Sequence, residues 1–306
     1  MSSEDLQSEI ERLTAAVTAA AASKKPLRRP RQVRLRIEAL EAEVAAQKQP
    51  VLLDFWEELL ILFRCCTRSN PQDTHKRLNR MRARYIKREK MADFETFFDV
   101  IKAMLAPDFI TPHGYNKPFS SINSDDVFDG LANHLSPILS RDEPVIMYAG
   151  TLLGYVRDGR PIEHDDDIDV AVYLGDHPPE DIPAIWLRYK QQLVDAGVIF
   201  PKWAAWHTPV IKLVGDDDVT IDLFPCWSHE GMFSVYPYSC GDLPMDAVFP
   251  LTNFKSGPVR LPADTDAFLK QCYGDTWRIP DPLFHFNWRR ANRKFRLLKS
   301  QNYSIK

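Results

Sequence analysis

The run Asp165–Asp169 constrains this chain most, because four of its five residues are aspartates and an apolar stretch follows it. Side chains on a β-strand alternate between its two faces, with roughly 6.6 Å between neighbours on one face. A strand through this run would place Asp165, Asp167 and Asp169 on one face, while Ile168 faces the core. Several carboxylates at one place are costly unless a cation lies between them, and oxygen ligands of this kind suit Mg²⁺ or Mn²⁺. The run therefore predicts a divalent-metal site, and the alternative is an acidic loop where the strand begins.

A further aspartate, Asp222, lies within the apolar run Val219–Phe224. Alternation puts Asp222 on the less apolar face of a predicted strand, where a metal held by other acids would be a suitable partner. The acids at 216–218 follow Gly215 and predict the solvated turn of a hairpin, so we do not expect them to be ligands.

The segment Ala149–Arg157 follows a predicted short strand and contains a glycine near its start. Gly150 would let the backbone approach a phosphate, and the N–H groups at the start of a helix would bind it, with the Thr151 hydroxyl beside them. Small residues also open many ordinary helices, so the segment alone does not separate the two interpretations. A glycine turn, an Asp-x-Asp strand and a third Asp on a later strand together are typical of the nucleotidyltransferase fold, in which two cations hold an attacking hydroxyl and a departing phosphate.

The segments Gly150–Arg157 and Ile162–Val170 resemble the core motif of the LicD family. This family includes bacterial phosphocholine transferases and is related to fukutin and fukutin-related protein. The later Tyr273–Pro280, preceded by Leu261–Asp264, is similar to the family's C-terminal segment, so that the resemblance covers roughly residues 148–280.

The resemblance implies transfer of a phospho-alcohol from a CDP-activated donor to a hydroxyl of a glycan or glycolipid, with release of CMP. Donors in the family include CDP-choline and CDP-ribitol, and the implied cofactor is Mg²⁺ or Mn²⁺. The implied metal ligands are Asp165, Asp167, Asp169 and Asp222, of which Asp167, Asp169 and Asp222 are the expected catalytic residues, one of them the general base.

The expected donor-binding residues are Gly150, Thr151, Arg157 and Lys212. Arg157 and Lys212 are either clamps for the donor phosphates or ordinary surface cations. His164 departs from the family pattern, which commonly has an aromatic residue, usually Trp, at this position. The departure leaves the identity of the donor open.

The fold class expected is α+β, with a nucleotidyltransferase-like mixed sheet flanked by helices and an all-helical N-terminal region. The predicted domains are a helical, coiled-coil-like arm over 1–49, a helical region and linker over 50–122, and a LicD-like catalytic domain over 123–306. The alternating segments of the last domain are 145–148, 168–173, 184–196, 210–214 and 219–224.

Two short heptad-like stretches give the arm its predicted character, with Pro26 and Pro30 between them. Their apolar positions are Leu6, Ile10, Leu13 and Val17, then Val33, Ile37, Leu40 and Val44. The arm either forms a homo-oligomer through these helices or is a helical appendage without a partner.

Charge and hydropathy limit which other partners and which location the sequence allows. The net charge of −3 and pI near 6.3 give no global basic field, so we expect no nucleic acid partner. No apolar leader opens the sequence, and the most hydrophobic stretch, Val51–Phe63, is too short to span a bilayer. We therefore expect a cytoplasmic protein, whose basic segment 24–36 either contacts anionic lipids on the inner face of the membrane or is simply solvated.

Two alternatives to phospho-alcohol transfer use the same carboxylates. The first is nucleotidyl transfer from an NTP to a small-molecule hydroxyl, and the second is a non-catalytic metal-binding scaffold. Four aromatic residues form either a sugar or base platform or ordinary core: Trp203, Trp206, Trp227 and Tyr236. The basic amphipathic helix predicted at 288–295 either holds an anionic acceptor or packs as a terminal helix.

Overall fold

A computed structural model describes residues 1–111, 114–117, 119, 144–165, 167–214, 220–254, 259–284 and 286–305. The chain forms two compact units, Met1–Pro118 and Phe119–Lys306. Three features lie outside the described residues: Asp166, the helix that the capping residues Ser124–Asp126 predict through Leu135, and the predicted turn at 215–218.

The N-terminal unit is helical, as its sequence predicts. Its helices are α1 (Ser3–Ala22), α2 (Pro30–Gln47), α3 (Pro50–Cys66), α4 (Pro71–Lys87) and α5 (Met91–Leu105). Three of them begin with proline, which fits the first helical position because its missing N–H would have no partner there. A short hairpin, β1 (Phe109–Ile110) and β2 (Tyr115–Asn116), follows where the composition predicted only a loop.

The two heptad-like stretches bury their apolar faces inside this unit. Leu6, Ile10 and Val17 on α1 are buried, and α1 and α2 both pack against α3. The Trp56 indole donates to the carbonyl oxygen of Ile37 at 2.9 Å, which ties α3 to α2. Residue 49 is thus a boundary between helices of one compact unit.

A buried ionic group joins α3 to α4. Asp54 and Glu57 are buried on α3, where an unpaired carboxylate would be costly. Arg88 pairs with Asp54, and Arg84 and Arg77 pair with Glu57. Arg77, Arg84 and Arg88 therefore serve internal pairing.

The apolar stretch Val51–Phe63 lies within α3, where Leu59 and Ile61 are fully buried. Among the helices that the structure describes, none combines the length and the apolarity needed to cross a membrane.

The second unit contains a mixed sheet flanked by helices, which confirms the predicted α+β class. Its strands are β3 (Val145–Met147), β4 (Asp167–Asp176), β5 (Ile211–Val214), β6 (Thr220–His229), β7 (Met232–Val235), β8 (Ser239–Pro244), β9 (Thr252–Asn253) and β10 (Val259–Leu261). Its helices are α6 (Ala149–Asp158), α7 (Ile182–Asp195), α8 (Pro201–Ala204), α9 (Met245–Val248), α10 (Thr265–Tyr273), α11 (Trp288–Lys294) and α12 (Arg296–Ser300).

The strand order among the described residues is β8-β7-β6-β4-β3-β10-β9, and β5 pairs with β6 in addition. The central strands β4 and β6 run parallel, while β3 and β5 pair antiparallel to them. The register of β4 and β6 places Asp169 opposite Asp222, so residues distant in sequence meet at the middle of the sheet.

Two local predictions need correction. The strand β4 begins at Asp167, so Asp165 lies in the preceding turn, which a hydrogen bond from its N–H to the Ile162 carbonyl closes at 3.1 Å. Three of the four aromatic platform candidates are core residues: Trp203, Trp227 and Tyr236 are buried, whereas Trp206 is 41% exposed.

A candidate carboxylate active site

The start of α6 holds Asp169 in place. The Gly150 N–H donates to Asp169 Oδ2 at 3.0 Å, and the Asp169 N–H donates to the Thr151 hydroxyl oxygen at 2.8 Å. The Tyr148 N–H donates to the Asp169 carbonyl oxygen at 3.2 Å. A carboxylate at the start of a helix also gains from the N–H dipoles that point toward it. These contacts fix both the backbone and the carboxylate of Asp169.

Gly150 is the position where two carboxylates approach the backbone. A Cβ on Gly150 would lie 2.4 Å from Asp165 Oδ2 and 3.3 Å from Asp169 Oδ2. The preceding residue, Ala149, has a φ of +44°, a left-handed conformation that is unfavourable for a residue with a side chain. Backbone strain of this kind concentrates at functional sites.

Lys212 supplies a positive charge to the same group. It pairs with Asp222 across β5 and β6, just as Asp222 pairs with Asp169 across β6 and β4. Its ammonium nitrogen lies 2.5 Å from Asp222 Oδ1 and 3.8 Å from Asp167 Oδ2. The three strands therefore align Lys212, Asp222 and Asp169 in one row across the sheet.

The electrostatics of the group favour a further cation. Burial raises the pKa of Asp169 well above its ordinary value, and the charges of Asp167, Asp165 and Asp222 raise it further. Burial alone would lower the pKa of Lys212, but the neighbouring carboxylates outweigh that effect and raise it. One ammonium group is thus surrounded by more negative charge than it can neutralise.

The donor set fits Mg²⁺ or Mn²⁺ in its chemistry, because the group offers carboxylate oxygens that hard cations prefer. Within the described part of the chain, however, no three His, Cys, Asp or Glu side chains have the geometry of a complete metal site. The Lys212 ammonium occupies the position between Asp222 and Asp167 that a cation would need. Metal binding by Asp165, Asp167, Asp169 and Asp222 accordingly stays a prediction.

The expected donor-binding residues divide into two sets. Gly150 and Lys212 contact carboxylate oxygens directly, and the Thr151 hydroxyl contacts the backbone N–H of Asp169. Arg157 lies seven residues beyond Gly150, a distance of roughly 10 Å along a helix axis, and forms a two-point contact with Asp158. Their role in holding a donor stays a prediction.

His164 lies in the turn that leads to Asp165. Burial lowers the pKa of His164, and the positive charge of Arg157 lowers it further, whereas the charge of Asp281 opposes both effects. The imidazole is therefore biased toward its neutral form at the residue where the family pattern commonly has an aromatic side chain.

Sequence reasoning missed the tyrosines beside the carboxylates. Burial raises the pKa of Tyr238 and of Tyr273 well above the ordinary value, and the negative charge of Asp169 contributes to both shifts. The two side chains hydrogen-bond to each other. Tyr273 belongs to the C-terminal motif and could have been found there, but no local pattern marks Tyr238.

The comparison with known families agrees with this geometry. Residues 143–265 match the family model described as LicD/FKTN/FKRP, nucleotidyltransferase domain. The matched segment runs from β3 to the start of α10 and includes Gly150, Lys212 and the four carboxylates. None of the curated proteins compared with the chain matches it. This match assigns the segment 143–265 to the LicD family as its nucleotidyltransferase domain.

Proposed function

We propose that this protein transfers a phospho-alcohol, such as phosphocholine or ribitol phosphate, from a CDP-activated donor to a glycan hydroxyl and releases CMP. Membership of the LicD family supports a transferase of phosphate-containing groups in general. The observation that carries the finer proposal is the convergence of Asp165 and Asp169 over Gly150, beside the paired Asp222 and Lys212.

The proposed cofactor is Mg²⁺ or Mn²⁺ held by Asp165, Asp167, Asp169 and Asp222. When bound, such an ion neutralises phosphate charge and orients the attacking hydroxyl. The oxygen donors and the excess negative charge of the group support this assignment.

The chain's own residues would contribute in three ways. Asp169 is the residue that we assign as the general base, because the Gly150 N–H orients its carboxylate and Asp165 and Asp222 lie beside it. The acceptor hydroxyl would lose its proton to this carboxylate while its oxygen bonds to the β-phosphorus of the donor. The bond from that phosphorus to the CMP oxygen would break, and CMP would leave.

Positively charged side chains would stabilise the departing phosphate. Lys212 is already directed at the carboxylate group, and Arg157 would act from the far end of α6. Gly150 and Thr151 would serve as positioning residues, since their contacts fix the orientation of Asp169.

The proposal extends to partners and place of action. The acceptor would be a glycan or glycolipid. The protein would act in the cytoplasm, at the inner face of the membrane. Its exposed basic residues there would contact anionic lipids: Lys24, Lys25, Arg28 and Arg29. Any self-association of the N-terminal helices would use their exposed residues, since the heptad stripes are buried.

The test is to identify the product. The protein is incubated with Mg²⁺ and each of CDP-choline, CDP-ribitol and CDP-glycerol, and separately with the four NTPs, and CMP and pyrophosphate are quantified. We expect CMP from at least one CDP-alcohol. Asp169→Asn should reduce its release at least about a hundredfold, since a required base is lost. Asp176→Asn, at the exposed end of the same strand, is the matched control and should retain activity.

A second candidate is nucleotidyl transfer from an NTP, which the description of the matched domain as a nucleotidyltransferase favours. Pyrophosphate from an NTP, without CMP from any CDP-alcohol, would establish this candidate instead. A folded protein that releases neither product would be a metal-binding scaffold.

A further inference from the structure

Five aromatic side chains form a connected strip near the carboxylates, with two tyrosines in its middle, one further ring on one side and a pair of rings on the other. This aromatic strip consists of Tyr238, Tyr273, Phe284, Phe286 and Trp288. Tyr238 contacts Tyr273 and Phe286, with ring centroids 5.4 and 4.5 Å apart. Phe284 contacts Tyr273 at 5.1 Å, and Trp288 contacts Phe286 at 4.9 Å.

The middle of the strip lies nearest the active site. Tyr148, whose N–H donates to the backbone carbonyl of Asp169, packs its ring against Tyr238 at 5.7 Å. The hydroxyl-bearing rings Tyr238 and Tyr273 are half-buried, and the charge of Asp169 acts on both. One packed tyrosine therefore separates the strip from the strand that carries Asp169.

Both ends of the strip are open to solvent. Phe284 is 39% exposed at one end and Trp288 is 46% exposed at the other. Exposed aromatic side chains that belong to one connected strip are candidates for binding a ligand. Exposed or half-buried polar side chains lie within the same stretch of chain: Asp281, Asn287 and Arg289.

The ring orientations favour a sugar over a nucleobase. Neighbouring rings of the strip meet at angles of 51° to 82°, so they do not form the parallel faces between which a planar base stacks. A sugar ring needs only one exposed aromatic face for its C–H groups and polar neighbours for its hydroxyls.

We infer that the aromatic strip binds the sugar rings of the acceptor, with Trp288 and Phe284 packing against the outer units and the tyrosines facing the unit that reacts. The inference rests on the proposed function in one respect, namely that the bound glycan presents its hydroxyl to Asp169. Phe284, Phe286 and Trp288 lie beyond both the matched segment 143–265 and the C-terminal motif that contains Tyr273. These three residues would therefore give this chain its own acceptor specificity.

The test uses the full chain labelled with 5-fluorotryptophan. Its seven tryptophans give separate ¹⁹F signals, and Trp288→Phe assigns the signal of interest by deleting it. Neutral tetrasaccharides of glucose, mannose and galactose are titrated to millimolar concentration, and CMP is titrated separately. We expect the Trp288 signal to shift with at least one oligosaccharide and not with CMP. Trp206 is a built-in control because it is exposed outside the strip, and its signal should not move.

Variants then measure the contribution of the ring. Trp288→Ala should weaken binding of the active oligosaccharide about tenfold or more, as loss of one aromatic stacking partner does, whereas Trp288→Phe should retain most of the affinity and Trp206→Ala all of it. A shift of the Trp288 signal with CMP alone would overturn the inference, as would the lack of a shift with every oligosaccharide. CMP release measures the proposed function independently, so sugar binding at Trp288 without CMP release would remove that function and leave a carbohydrate site.

Discussion

Gly150 has no room for a side chain, because two carboxylates occupy the volume that a Cβ would need. The sequence predicts this glycine as a point of phosphate approach, whereas its N–H is directed at Asp169. The acids themselves could be found from the Asp-x-Asp spacing and the lone Asp222. The contacts of these acids could not be predicted from the sequence, because Gly150 and Asp169 are far apart in sequence and meet only through the pairing of strands.

Substitution of this glycine separates folding from catalysis. In Gly150→Ala the new Cβ would displace Asp165 Oδ2, which is the movable end of a side chain, so the fold should survive with a melting temperature within a few degrees of the wild type. CMP release should fall about a hundredfold or more, because the carboxylate group can no longer converge. Thermal melting and a CMP assay check this prediction, and full activity in a folded Gly150→Ala protein would contradict it.

At the scale of elements, the site depends on how α6 packs against the turn before β4. A Cβ on Gly154 would lie 2.7 Å from the Arg160 carbonyl oxygen and 2.8 Å from the Ile162 nitrogen. The turn that carries His164 and Asp165 therefore packs directly against α6. The first residues of β4, β5, β6 and α7 could be predicted to within one or two positions from their alternation and apolar spacing, whereas β4 and β6 extend three and five residues beyond their predicted ends. The two-residue strands β1 and β2 could not, because they are too short to show a period.

Gly154→Ala and Gly159→Ala form a matched pair on α6. At Gly154 the obstacles are backbone atoms, so the turn must shift, at a cost of about 1–3 kcal/mol of unfolding free energy. Gly159 has a φ of +68° and no atom within 4 Å of a built Cβ, so alanine there meets only the backbone penalty of about 1 kcal/mol. Urea unfolding should rank Gly154→Ala as the less stable variant. CMP release should fall in Gly154→Ala and persist in Gly159→Ala. If the two substitutions had equal effects on stability and on CMP release, the packing of the turn against α6 would be refuted.

At the scale of the whole chain, the sequence shows which helices have apolar faces but not what covers them. The stripes on α1 and α2 have the spacing of an oligomerisation arm, and α3 of the same chain covers them instead. Which surface covers an apolar helix face depends on contacts between segments, and the spacing of apolar residues gives no information about those contacts. The aromatic residues illustrate the same limit, since Trp227 and Tyr236 are core while Trp288 is exposed.

The C-terminal segment is tied into the second unit by a buried lysine. The Lys190 ammonium donates to the carbonyl oxygens of Ala204 and Trp206, each at 3.0 Å, and of Tyr303 at 2.7 Å. Burial lowers the pKa of Lys190 to about 8. A lysine in the unfolded chain has a pKa near 10.4, so between these values the unfolded state binds a proton that the folded state has released. The contribution of Lys190 to the free energy of unfolding should therefore rise with pH above about 8.

Urea unfolding of the wild type and of Lys190→Met between pH 7 and 9.5 measures this effect. The wild type should gain stability relative to Lys190→Met as the pH rises, because the cost of burying the charge disappears. Other titrating groups contribute equally to both proteins and cancel in the difference. If the difference in unfolding free energy between the two proteins stayed constant from pH 7 to 9.5, Lys190 would not titrate in that range.

Binding of a CDP-alcohol together with a divalent cation at the carboxylate group should raise the thermal stability of the protein. The melting temperature is measured with CDP-choline, CDP-ribitol, CDP-glycerol and the NTPs, each with and without Mg²⁺, for the wild type and Asp222→Asn. A ligand that binds only the folded state raises the melting temperature, by several degrees when its concentration is about a hundred times its dissociation constant. We predict such a rise with at least one CDP-alcohol, only with Mg²⁺, and its loss in Asp222→Asn. Stabilisation by an NTP while all three CDP-alcohols fail would contradict the account.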